Sequence, residues 1–98
     1  MTINCITDEK ILTVQPVGRL DSQTGDEFLS FVNEKFTDDF EKIIFDLGGV
    51  DFVSSKGLRD LVTVYKGLNG REMEIINANT SVNDVLNRSG LSKFFNAK

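Results

Sequence analysis

The chain has 98 residues, 40% of them hydrophobic and 27% charged, with a net charge of −4. That is one domain's length, and the composition is too apolar for a disordered chain. The eleven Lys and Arg form no basic run among fifteen acidic residues, which argues against a nucleic-acid binder and disfavours anionic membranes.

Met1-Thr2-Ile3-Asn4-Cys5 lacks the charged-then-apolar pattern of a signal segment. No apolar stretch approaches the roughly 18 to 20 residues needed to span a bilayer, so a cytoplasmic location is expected. Cys5 is the one cysteine, which excludes an internal disulfide and a thiolate metal cluster. Its alternating neighbours make it a small buried hydrophobe in a strand. With no repeat, low-complexity stretch or linker, residues 1–98 read as a single domain.

Thr2 to Thr7 and Lys10 to Val17 are apolar-rich strands separated by Asp8-Glu9, which predicts a hairpin. Pro16 cannot donate to a ladder and marks a strand end or a bulge. Gly18 to Gln23 reads as a polar turn. From Thr24 to Phe36 the period changes, placing Phe28, Phe31, Val32 and Phe36 on one helical face. Thr24 followed three residues later by Glu27 suggests a capping box. Lys42 to Leu47 is a nearly continuous apolar run, as in a strand covered on both faces, and Gly48-Gly49 ends it.

Val50 to Ser54 reads as a loop before a second helix, with Leu58, Leu61, Val62, Tyr65 and Leu68 inward and Lys56, Arg59 and Asp60 outward. Asn69-Gly70 stops that helix, since both tolerate a left-handed backbone. Met73 to Asn77 is the last main strand. Thr80 or Ser81 caps a third helix with Val82, Val85 and Leu86 inward, and Gly90 ends it. Leu91, Phe94 and Phe95 are expected to tuck back onto the core. The order β-β-α-β-α-β-α predicts an α/β fold: a small mixed sheet, one parallel crossover at least, with helices packed against it.

Catalytic options narrow quickly. The chain has no His, which removes Ser-His-Asp and Cys-His mechanisms and His-based zinc sites. Neither a GxxxxGK[ST] loop nor a GxGxxG fingerprint occurs. Asp38-Asp39 reads as a solvated turn. No metal or cofactor is implied, and the expectation is a binding protein without enzymatic activity.

The most informative segment is Asp51-Phe52-Val53-Ser54-Ser55-Lys56-Gly57-Leu58-Arg59. It joins a strand to a helix, and in open α/β sheets sites gather beyond the carboxyl ends of strands. A serine there is most simply an N-cap. A second serine beside it has another use: the helix N-terminus tolerates a phosphate, and Arg59 lies one turn from Ser55. Phosphorylation adds about 1.5 to 2 negative charges, enough to spoil a surface that a partner must cover.

Three segments together resemble the STAS domain family, and within it the stand-alone bacterial anti-sigma factor antagonists: Gly18-Arg19-Leu20-Asp21, Phe52-Val53-Ser54-Ser55-Lys56-Gly57-Leu58-Arg59, and Ser89-Gly90-Leu91-Ser92-Lys93-Phe94-Phe95. The resemblance implies partner switching. The unmodified antagonist binds an anti-sigma factor that is also a serine-protein kinase, and sigma factor is released. The kinase phosphorylates one serine, and a PP2C-type phosphatase restores it. On this sequence the modified residue is Ser55, with Ser54 as a competing acceptor. Asp21, Ser22, Ser54, Ser55, Lys56, Gly57, Leu58 and Arg59 form the partner surface, ATP belongs to the kinase, and the free chain is monomeric. Ser54 stands where many members have Asp, and Lys56 where many have Ser or Thr. Two other readings stay open: a constitutive STAS adaptor of a transporter or sensory complex, with both serines only caps, and a small-ligand-binding domain with its site near Asp21, Ser54 and Ser55.

Overall fold

A computed structural model describes residues 1–90 and 96–97. Its elements are β1 (Thr2–Asp8), β2 (Ile11–Leu20), α1 (Gly25–Lys35), β3 (Lys42–Asp46), β4 (Val50–Val53), α2 (Ser55–Lys66), β5 (Glu72–Ile76), α3 (Thr80–Arg88) and β6 (Asn96–Ala97). They form a mixed sheet in the order β1-β2-β3-β5-β6, with β4 pairing β2 off that path. Only β1 is antiparallel to its neighbour; β2–β3, β2–β4, β3–β5 and β5–β6 are parallel. This is the α/β architecture expected, with two short strands added.

One of them corrects the sequence reading: Val50 to Val53 is a strand, not a loop. Val50 and Val53 are buried, and β4 takes up the end of β2 that β3 leaves free. β3 pairs Ile11 to Val14, and β4 pairs Gly18 to Leu20. Pro16 therefore neither ends nor bulges the strand. It lies where β2 changes its parallel partner, and needs no ladder donor toward either. The irregularity falls between Gly18 and Arg19. Gly18 has φ 115°, a backbone only glycine takes without strain. Gly18, Arg19 and Leu20 thus continue β2, where a turn was expected.

The hairpin turn is Glu9-Lys10, between paired Asp8 and Ile11. Cys5 lies opposite Val14 but is exposed, not buried. β1 is an edge strand: Ile3 packs against the core, while Cys5 does not join it.

The core lies on one face of the sheet. Leu12, Val14, Ile43, Phe45, Met73 and Ile75 point inward and meet Phe28, Val32, Leu61, Val64, Val82 and Leu86 from the helices. Phe28 and Phe45 have ring centroids 5.4 Å apart, tilted by 43°. The alternate residues of β3, Ile44 and Asp46, are half-buried. Two-sided cover of this strand, expected from its apolar run, is therefore incomplete. On that outer face burial tends to raise the Asp46 carboxyl. Hydrogen bonds outweigh it and hold the group below its ordinary value: Gly48 N (3.0 Å) and Asn77 Nδ2 (3.2 Å) donate to Oδ1, and Gln15 Nε2 (3.1 Å) to Oδ2.

In and just after α2, Leu61 and Leu68 are buried and Leu58 packs against the core, as expected. Gly57, Asp60 and Val64 also face inward, while Tyr65 is exposed. α3 is capped by Asn79, whose Oδ1 accepts from Val82 N at 2.8 Å, rather than by Thr80 or Ser81. The tail positions Leu91, Phe94 and Phe95 lie outside the described residues.

Candidate functional site

Two loops meet where β2 and β4 end. Leu20 O accepts from Ser54 N at 2.9 Å. A Cβ on Gly57 would fall inside contact distance of that same carbonyl and 3.0 Å from Val53 Cγ1. Glycine at 57 is what lets the first turn of α2 lie against the end of β2. This approach brings the segment after Leu20, with Asp21 and Ser22, beside Ser54 to Lys56.

The Asp21 loop is internally bonded. Asp21 Oδ1 accepts from Gln23 N (2.9 Å) and Thr24 N (3.3 Å), and Arg19 Nε donates to Oδ2 (3.4 Å). The Gln23 amide above all, with Arg19 adding to it, holds this carboxyl below its ordinary value despite some desolvation. Thr24 Oγ1 donates to Arg19 O at 2.7 Å and accepts from Asp21 N at 3.0 Å. Its hydroxyl is thus spent on the loop. Thr24 stands at the N-cap of α1 without a side-chain cap bond, so the expected capping box does not form. Ser22 is exposed.

The two serines differ in what their hydroxyls do. Ser54 is the N-cap of α2, with extended backbone (φ −84°, ψ 175°), and its Oγ accepts from Gly57 N at 3.1 Å. Ser55 is the first residue of α2 and is exposed; its hydroxyl makes no hydrogen bond among the described residues. Lys56 reaches inward, its Nζ 2.6 Å from Oδ1 of Asp60 and 4.0 Å from Asp26 of α1. Leu58 packs against the core. Arg59 is exposed, and its guanidinium has no ion-pair partner among the described residues.

Three residues here escaped the sequence reading. Asp60, expected on the solvent face, is 2% exposed; its signal is the Lys four residues before it. Arg19 and Phe52 become neighbours only through the β2–β4 register, with the guanidinium 4.5 Å from the ring centroid. No group of three or more potential metal-binding side chains occurs among the described residues. Nor is any described helix long and apolar enough to cross a membrane.

A mixed sheet with helices on one face, and a serine-bearing turn entering α2 beside an Asp loop, define a STAS-like domain. A profile of the STAS domain matches residues 2–98, and the chain belongs to that family. No curated protein sequence matches the chain. Among solved structures, it is similar to an anti-sigma factor antagonist from Mycobacterium paratuberculosis at 21% identity and TM-score 0.90, covering 98% of this chain and 83% of that one. It is similar to the antagonist SpoIIAA in its unphosphorylated form at 16% identity and TM-score 0.82, covering 99% and 88%. SpoIIAA, a Bacillus cell fate determinant, is also solved phosphorylated, with 15% identity, TM-score 0.74 and coverage of 99% and 91%. A third likeness is the murine anion transporter Slc26a9, at 19% identity and TM-score 0.78, covering 88% of this chain and 15% of the transporter. At such identities the likenesses establish a shared fold.

Proposed function

We propose that this chain is an anti-sigma factor antagonist that works by partner switching in the cytoplasm. Unmodified, it is a monomer that binds an anti-sigma factor carrying serine kinase activity. Phosphorylation of Ser55 by that kinase releases it, and a PP2C-type phosphatase restores it. The surface covered is Asp21, Ser22 and Ser54 to Arg59.

One observation carries the reading: of two adjacent serines, Ser54 spends its hydroxyl on capping α2, while the Ser55 hydroxyl is exposed and unbonded. A phosphate at Ser55 would meet the positive end of the helix and cost the fold little. It would place about two negative charges in the surface that a partner must desolvate. The likeness to antagonists, one of them solved in both phosphorylation states, supports the same reading.

The test is to incubate the purified chain with the anti-sigma factor kinase and ATP, then map phosphate by mass spectrometry. One phosphate on Ser55, lost in Ser55→Ala, is the expected result. No phosphate, with the kinase active on another substrate, overturns the switch. The likeness to a transporter's STAS domain favours the adaptor as the second reading. On that reading Ser55→Asp leaves partner binding unchanged.

A further inference from the structure

Arg19 and Phe52 lie between the two halves of the site. β2 and β4 set Arg19 opposite Phe52 and Leu20 opposite Val53. Leu20 and Val53 are buried, so strand alternation turns Arg19 and Phe52 outward. Arg19 is two residues before Asp21, and Phe52 two before Ser54. The pair thus bridges the Asp21 loop and the serine turn.

Phe52 is 41% exposed. Arg19 lies 4.5 Å over its ring and is fixed through Nε to Asp21. Its two Nη groups have no partner among the described residues. Between β4 and α3, which the Asn79 Nδ2 bond to Val50 O holds together, Phe52, Val53, Val82 and Val85 line a groove of about 160 Å³ together with Asp51 and Ser81. Lys56 is committed to Asp60, which leaves the guanidinium groups of Arg19 and Arg59 to meet acidic groups on a partner.

We propose that the Arg19–Phe52 pair, with the groove beside it, is the energetic anchor of the partner surface. The groove receives one apolar side chain of the anti-sigma factor, Leu or Met by size, and a carboxylate of that partner bonds the Arg19 Nη groups. The inference rests on the function proposed above and adds residues outside the serine segment. An aromatic ring pre-set by a stacked guanidinium has little rotamer freedom left to lose on docking. Central, aromatic and Arg-bearing patches are where binding energy concentrates.

The experiment is calorimetric titration of the wild-type chain and of Phe52→Ala, Arg19→Glu and Ser55→Asp against the purified anti-sigma factors of the same genome, each loaded with ADP so that no phosphate is transferred during the titration. Phe52→Ala is expected to weaken binding about 30-fold or more, and Arg19→Glu about tenfold or more through charge reversal. Arg19→Glu alters a side chain that is 62% exposed, so it keeps the test open should truncation at Phe52 unfold the chain. Loss with Ser55→Asp alone, the other two binding as wild type, overturns the anchor and leaves the switch standing. Loss with Phe52→Ala and Arg19→Glu but not Ser55→Asp supports the anchor and removes the switch. A wild-type chain that binds none of the anti-sigma factors overturns both. A wild-type dimer dispersed by Phe52→Ala overturns the anchor in favour of a second copy of the chain.

Discussion

Lys56 Nζ lies 2.6 Å from Oδ1 of the buried Asp60, one helical turn further on, while Oδ2 of that carboxylate has no hydrogen-bond partner and faces Gly25. A carboxylate so enclosed depends on the one ammonium and on the positive end of α1, which begins at Gly25. Both residues belong to α2, and the same ammonium reaches α1 through Asp26 at 4.0 Å. Removing one partner of a fully buried pair costs about 3 to 5 kcal/mol. Lys56 is a third exposed, so Lys56→Ala is expected to cost roughly 1 to 3 kcal/mol after screening. Adding Asp60→Asn removes the stranded charge and should recover part of the loss. Urea denaturation of wild type, single and double variants measures this; a double variant weaker than Lys56→Ala alone would refute it.

Glycine is required at two helix positions for reasons of space. A Cβ on Gly25 would collide with Asp60 Oδ2, and one on Gly57 with the Leu20 carbonyl. Each Gly→Ala change is expected to cost about 1 to 3 kcal/mol, Gly57→Ala more, because a backbone carbonyl cannot swing aside as a side chain does. Gly67→Ala is the control: its φ is −86° and its nearest neighbour would be 3.6 Å away. It should be neutral or slightly stabilising. Equal losses at all three positions would show that close approach is not the cause.

The two serines should separate in a stability assay without any partner. Ser54→Ala removes the cap bond to Gly57 N and is expected to cost about 1 kcal/mol. Ser55→Ala removes an exposed, unbonded hydroxyl and should change stability by less than about 0.5 kcal/mol. Chemical denaturation reads both, and the reverse order would assign the cap to the wrong serine.

Asp46 predicts an acid dependence. Its carboxyl is held below the ordinary value of 3.8, so the folded state binds the proton less readily than the unfolded chain. The stabilisation is therefore complete above about pH 5 and fades as pH falls through the lowered folded value. Asp46→Asn keeps one oxygen to accept from Gly48 N and Asn77 Nδ2 but removes the charge and sets a donor amide where Oδ2 accepts from Gln15 Nε2. The stability gap between wild type and this variant should be constant from pH 7 to about pH 5 and narrow below about pH 4. A gap that persists unchanged at the lowest pH where both fold would exclude the carboxylate as its source.

Much of the fold was legible because periodicity reports which face a residue occupies. Phe28 and Val32 were placed correctly by a 3.6-residue repeat, and Ile43 and Phe45 by their apolar run. The errors share a cause, which is that local pattern does not carry tertiary cover. Val50 to Val53 has too few residues to show alternation, and its strand character comes from β2 lying alongside. Tyr65 and Asp60 exchanged faces because Gly57 lets α2 approach on its own side. Cys5 has a strand's pattern but an edge strand's exposure. Within the site, the serine turn and the Asp21 loop were visible as motifs. The Arg19–Phe52 contact was not, since the two residues are 33 positions apart in sequence and depend on β4, whose four residues carry a loop's pattern.

The divided pairing of β2 also has a consequence for how the chain acquires its shape during synthesis. The hairpin of β1 and β2 precedes the other strands along the chain, and an isolated two-stranded hairpin is marginal in water. Its inward residues, Leu12, Val14 and Leu20, gain α1 next, but the other edge of β2 stays open until residues 42–53 have followed. The nascent chain therefore carries an unsealed strand edge for some thirty residues of elongation, from Leu20 to Val53. Parallel pairing across such separations is intrinsically slow, and an open edge templates aggregation. Asp21, Asp26, Glu27, Glu34, Asp38, Asp39 and Glu41 face one basic residue, Lys35, in residues 21–41, and net charge of one sign opposes association.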